Sequence, residues 1–126
     1  MPELPEVETT VKSLNILKNK KVINVDIHVK KLRYLVPHLD LRNIINYKIT
    51  NLRRIAKYVI IDFDNVKSVI VHLGMSGRLK IVKPNVMLNK HDHLVFKFNN
   101  CKLIFNDPRR FGFVDIIKSE KINEVS

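Results

Sequence analysis

Val7, Val11, Leu14 and Leu17 recur at intervals of three and four, the spacing that gathers side chains on one face of a helix. Pro5 suits a first helical turn, where a missing N–H breaks no helical hydrogen bond. Glu6 and Glu8 lie toward the positive end of the dipole, and Lys18, Lys20 and Lys21 follow its negative end. Residues 5–17 are therefore predicted to form one helix. The period then drops to two: Ile23, Val25, Ile27 and Val29 alternate with Asn24, Asp26 and His28, which marks a half-buried strand. Residues 30–38 are irregular and hold Pro37, and a short helical turn is expected over Asp40–Ile45. Strand-like runs follow at Lys48–Arg54, Tyr58–Phe63, Ser68–Leu73, Arg78–Val82, His93–Phe98, Lys102–Phe105 and Val114–Lys118, with Asp64-Asn65 and Asn99-Asn100 as turns. This series predicts a mainly β fold, an antiparallel β-sandwich with an N-terminal helix and a second short helix at its margin. The domain is expected to span 1–118, with 119–126 a polar tail that frays.

Composition adds a partner class. The chain has 126 residues, enough for one domain, and its 45% hydrophobic and 28% charged residues are globular values. Against 12 acidic residues stand 23 Lys and Arg, a formal net charge of +11, which favours a polyanion such as nucleic acid. The plainer reading is a lysine-rich chain from an AT-rich genome. Cys101 is the one cysteine, so an intramolecular disulfide and a Cys-rich zinc site are both excluded. That suits a reducing cytoplasm. The acidic, proline-bearing start is no signal peptide, and no apolar run approaches the ~20 residues that span a bilayer. A cytoplasmic monomer with no membrane partner and no cofactor is expected.

Candidate chemistry begins at Met1-Pro2-Glu3. Removal of Met1 is expected because Pro2 is small, and it would leave a secondary amine at the chain terminus. An α-amine has a reference pKa of about 7.7–8.0, far below lysine, and cationic neighbours lower it further. Its attack on a sugar C1′ would give an iminium with no N–H to lose, a lasting electron sink. Glu3 beside it can carry protons. Read blandly, Met-Pro starts are common and an acid before a helix is an ordinary cap.

Four further segments stand out. In His72-Leu73-Gly74-Met75-Ser76-Gly77 two glycines flank a tip where Met75 could wedge into a base step, or else be core. In Asn106-Asp107-Pro108-Arg109-Arg110-Phe111-Gly112 a turn displays Arg109 for phosphate or base edges and Phe111 for stacking; a buried Phe111 with solvated arginines is the alternative. Arg53-Arg54-Ile55-Ala56-Lys57-Tyr58 is either a phosphate-binding run or a basic strand edge. In Lys90-His91-Asp92-His93 strand alternation turns both histidines to one face, but three ligands fall short of a closed zinc site, so His91 reads as a phosphate or backbone hydrogen-bond donor.

In this order, Pro2-Glu3-Leu4-Pro5-Glu6-Val7-Glu8, Arg54-Ile55-Ala56-Lys57-Tyr58, His72–Gly77, Lys90–His93 and Asp107–Gly112 resemble the formamidopyrimidine-DNA glycosylase family of bacterial base-excision enzymes for oxidised purines. The leucine in Pro-Glu-Leu-Pro-Glu resembles this branch more than the related endonuclease VIII branch. The resemblance implies a glycosidase and AP lyase acting on double-stranded DNA with oxidised purines or abasic sites. Pro2 would attack C1′ and expel the base, Glu3 would move protons, and the Schiff base would break the strand by β- and δ-elimination. Lys57, which the resemblance implies is part of the catalytic site, would hold the lesion's phosphate and His91 a second backbone position. Met75, Arg109 and Phe111 would fill the gap left by the extruded base.

The family fold for this segment is a β-sandwich flanked by helices. Family members carry in addition a helical domain with a helix–two-turn–helix and a four-cysteine zinc finger, both expected to be absent from this chain. The alternative is a non-catalytic DNA-binding remnant of a truncated or split gene, with a separate C-terminal fragment as a candidate partner.

Overall fold

The computed structural model describes residues 3–124, and side chains through Ile122. Helix α1 runs Leu4–Ser13, with Pro5 in its first turn and Val7 buried. The expected last turn tightens into a 3-10 turn, Leu14–Leu17, which keeps Leu14 and Leu17 in the core. It is closed by Lys18 N–H donating to Asn15 O at 3.1 Å, after which Asn19 adopts φ 72° and its N–H meets Ile49 O at 2.7 Å. The helix thus ends because the chain turns onto the sheet.

Strand β1 is Asn24–Ile27, shorter than the alternation suggested, although Ile23 and His28 still donate across to Lys97 O and His93 O. The expected helical turn is α2, His38–Leu41, continued by a 3-10 turn through Ile44, and it buries Leu41 and Ile44. The remaining strands are β2 (Ile49–Ile55), β3 (Tyr58–Phe63), β4 (Lys67–His72), β5 (Arg78–Val82), β6 (Asp92–Lys97), β7 (Lys102–Asn106) and β8 (Phe113–Lys118). They form two four-stranded sheets, β1-β6-β7-β5 and β2-β3-β4-β8, with every pairing antiparallel. Val25, Leu94, Phe96, Leu103 and Phe105 of the first sheet share one core with Leu52, Val59, Ile61, Val69, Val71 and Val114 of the second. The sandwich with marginal helices is therefore as the pattern of residues foretold. No helix among the described residues is long and apolar enough to cross a membrane.

The expected frayed tail needs correction. Ser119–Glu124 form a 3-10 helix, and Ile122 is only 2% exposed. Ile60 and Ile70 point away from the main core on adjacent strands, and Ile122 covers them. Ser119 N–H donates to Val66 O at 2.8 Å, and its hydroxyl lies 2.7 Å from Ser68 Oγ, which anchors the turn. One apolar residue in a polar stretch suffices because the sheet offers it an apolar seat.

Candidate nucleic-acid interface

Pro2 lies outside the described residues. Glu3 caps α1 through its backbone: its carbonyl accepts Val7 N–H at 3.1 Å. Its carboxylate makes no capping bond and is exposed, so ordinary capping does not occupy it. One turn on, Glu8 pairs with Arg54 at 3.1 Å, and Arg54 Nη1 also donates to Ala56 O at 2.8 Å. Helix α1 is thereby tied to the Ala56-Lys57 turn joining β2 to β3, where Ala56 takes φ 51°. Arg53 is likewise engaged, with Asp62 at 2.9 Å. Of the basic run, Lys57 alone has no carboxylate partner among the described residues.

Lys57 shares its surroundings with His72, which the sequence marks only as the first residue of its motif, and with Arg33, which lies in no motif. His72 ends β4 and lies edge-on to Tyr58, with ring centroids 5.2 Å apart. It stacks on Phe113 at 5.4 Å and 4°. Gly74 N–H donates to its Nδ1 at 3.1 Å, which leaves the ring proton on Nε2. Burial, and then the charges of Arg33 and Lys57, push its pKa below the usual 6.5. Arg33 N–H in turn donates to Gly112 O at 3.1 Å. Two cations beside a histidine, neither with a carboxylate partner among the described residues, make a place suited to an anion. The only local signal was a polar residue at a strand end before glycine.

The two glycine-bearing segments, distant in sequence, are fused. Gly74 has φ +61°, and a methyl there would fall 2.5 Å from Gly112 N and 2.6 Å from the Phe111 carbonyl carbon. A methyl on Gly112 would fall 2.5 Å from His72 O. Only glycine permits this backbone approach. Between the loops lies Asp107, fully buried. Ser76 Oγ donates to its Oδ1 at 2.7 Å and Gly112 N–H to its Oδ2 at 2.9 Å. Ser76 Oγ also accepts Arg109 N–H at 3.0 Å. Met75 and Phe111 emerge beside these anchors 48% and 44% exposed, and the Arg109 guanidinium lies over the Phe111 ring at 5.1 Å. This settles Met75 as a tip and not core, and Phe111 as exposed. Met75, Ser76, Arg78 and Pro108 line an open cleft of about 910 Å³, which Glu6 and Thr10 of α1 line as well.

The two histidines divide. His93 is buried and its Nε2 lies 2.9 Å from Asp107 O. His91 is half-buried, its carbonyl accepts Asp107 N–H at 3.1 Å, and its ring lies 6.3 Å from that of His93. Asp92 faces Asn89 N–H and the Asn106 amide at 2.7 and 2.8 Å. No cluster of three or more metal-binding side chains occurs among the described residues. Thus Met75, Arg109 and Phe111 form one unit with His91 tied to its base through the backbone. Lys57 sits in the neighbouring cluster, and Glu3 sits at the start of the helix that walls the cleft.

Known proteins are similar to this chain in sequence and fold. The formamidopyrimidine-DNA glycosylase N-terminal domain model matches residues 1–114. Formamidopyrimidine-DNA glycosylase of Rickettsia canadensis is 48% identical over 126 residues, covering 98% of this chain and 46% of that protein. The Rickettsia felis protein of the same name is 50% identical over 116 residues, covering 90% and 42%. A crystal structure of the Lactococcus lactis formamidopyrimidine DNA glycosylase, non-covalently bound to DNA containing an AP site, aligns with TM-score 0.91 and 29% identity over 98% of this chain and 48% of that one. The chain spans less than half the length of each of these relatives. Matched by the domain model along most of its length, it belongs to the formamidopyrimidine-DNA glycosylase family, of which it carries the N-terminal domain.

Proposed function

We propose that this chain supplies the catalytic half of a DNA base-excision enzyme that removes oxidised purines and cleaves the resulting abasic site. The observation that carries the reading is the joined, exposed Met75 and Arg109–Phe111 platform beside a cleft walled by the helix that Pro2 precedes. With Met1 removed, the Pro2 nitrogen attacks C1′. The bond from C1′ to the base breaks, and the base leaves with a proton. Glu3, exposed and free of a capping bond, protonates the opening sugar and relays protons afterwards. From the iminium, loss of a C2′ proton expels the 3′ phosphate and loss of a C4′ proton expels the 5′ phosphate. The amine and carboxylate supply the chemistry, so the reading calls for no cofactor.

Lys57, with Arg33 and the Nε2–H of His72, binds backbone phosphate; His91 binds a second position. Extrusion of the lesion costs a few kcal/mol, and the inserted Met75, Arg109 and Phe111 offset the lost stacking. Helix α1 and the two tips form one side of the cleft, and in the proposal a separate C-terminal fragment supplies the other. The net charge of +11 would equally serve a second reading, DNA binding without turnover.

Borohydride trapping on abasic duplex separates the two. The chain with Met1 removed is expected to give a covalent adduct, and Pro2→Gly, which replaces the secondary amine with a primary one, to lower its yield at least tenfold. Absence of an adduct, with and without the C-terminal half of a relative, leaves the second reading. An undiminished adduct in Pro2→Gly shows that the secondary amine is not required, the glycine α-amine or a lysine serving in its place.

A further inference from the structure

We infer that Asp107 and Ser76 are positioning residues that hold Met75, Arg109 and Phe111 in one mutual register, so that the three enter a DNA stack as a single wedge; this rests on the wedge reading above. Asp107 is 0% exposed and has no cation partner among the described residues. Burying a carboxylate that way is costly unless hydrogen bonds replace its hydration. Here each oxygen receives one donor, and the donors come from different loops: Ser76 Oγ at 2.7 Å and Gly112 N–H at 2.9 Å. Its backbone is pinned as well, N–H to His91 O at 3.1 Å and C=O from Arg110 N–H at 3.2 Å.

The arrangement has a direction. An ionised carboxylate can only accept, so the Ser76 hydroxyl must turn its proton toward Asp107. That leaves its lone pairs for Arg109 N–H, which they receive at 3.0 Å. Each wedge residue is therefore one step from the buried carboxylate. Met75 precedes Ser76, Arg109 is held by Ser76, and Phe111 precedes Gly112. The two carboxylate oxygens of this fully buried acid bond Ser76 and Gly112, the residues that follow the exposed Met75 and Phe111 in the chain. Tips held this way need no further ordering when they insert, which is where a flexible pair of loops would lose affinity.

The test uses the full chain at saturating concentration and low salt, with a duplex carrying a tetrahydrofuran abasic analogue opposite 2-aminopurine. Insertion unstacks the 2-aminopurine and raises its fluorescence. Met75→Ala is expected to abolish the rise. Ser76→Ala should reduce the rise at saturation at least fivefold with the salt dependence of binding unchanged, Asp107→Asn should do the same, and Ser76→Thr should restore it. In the free protein, Arg109 amide exchange should quicken at least tenfold in Ser76→Ala, and Gly112 exchange in Asp107→Asn. A role confined to stability would lower the melting temperature without altering the signal of the folded, saturated protein. A full rise in Ser76→Ala where Met75→Ala has none, or unchanged exchange at Arg109, overturns the positioning role and leaves the wedge standing. No rise in the wild type, or a full rise in Met75→Ala, overturns the wedge and this inference with it.

Discussion

His72 joins local chemistry to function at the scale of one residue. Its Nδ1 is taken by Gly74 N–H and its ring is stacked on Phe113, so the neutral form is built into the fold. Burial, with Arg33 and Lys57 nearby, holds its pKa below 6.5. The unfolded chain therefore binds this proton more readily than the folded one. The stability that His72 contributes is present above about pH 6.5, its unfolded value, and is lost as pH falls below it. Urea unfolding between pH 7.5 and 5 should show that loss, and His72→Asn should show a shallower one; equal slopes for the two proteins would disprove the coupling. A phosphate seated among Arg33, Lys57 and His72 would reverse the bias and favour the imidazolium, so binding to duplex should take up protons and tighten as pH falls through this range.

At the scale of elements, much is legible in the sequence. Strands β3 and β5 occupy the expected Tyr58–Phe63 and Arg78–Val82, because β-branched runs bounded by turn residues are local signals. The two tips were legible as loops from their glycines. Their fusion was not, since it depends on Gly74 meeting Phe111-Gly112 across the fold, and Asp107 read only as the start of a turn. Arg53 and Arg54 looked equivalent to Lys57 in sequence, yet Asp62 and Glu8 neutralise them. The turn bearing Ile122 was hidden for a related reason: a lone isoleucine among polar residues signals nothing until Ile60 and Ile70 are seen facing outward. Ile122→Ala should cost about 2–5 kcal/mol, as for other fully buried aliphatic truncations. Denaturant unfolding would check this, and a loss under 0.5 kcal/mol would show that the contact is incidental.

For the whole molecule, the net charge of +11 is unevenly available. Arg53, Arg54, Lys80 and Lys97 have carboxylate partners, whereas Arg33, Lys57, Arg109 and Arg110 have none among the described residues. If Arg33, Lys57 and Arg110 each neutralise a phosphate, log affinity for duplex should fall against log salt with a slope of about −2.7, or about 40-fold for a fourfold rise in salt. Lys57→Gln should flatten that slope by about 0.9 and Arg53→Gln should leave it alone. Binding isotherms over a salt series decide the matter; equal changes for both variants would mean that total charge, not its placement, sets affinity.

Ile122 also bears on how the chain is made. Both sheets can pair once residue 118 has emerged from the ribosome, but Ile60 and Ile70 remain bare until Ile122 follows. Over that interval the nascent sandwich displays an apolar strip on its outer sheet, a surface for a chaperone or for a neighbouring copy on the same polysome. A chain held with residue 118 outside the ribosome and Ile122 still inside would prolong the display, and the seating of Ile122 would end the hazard.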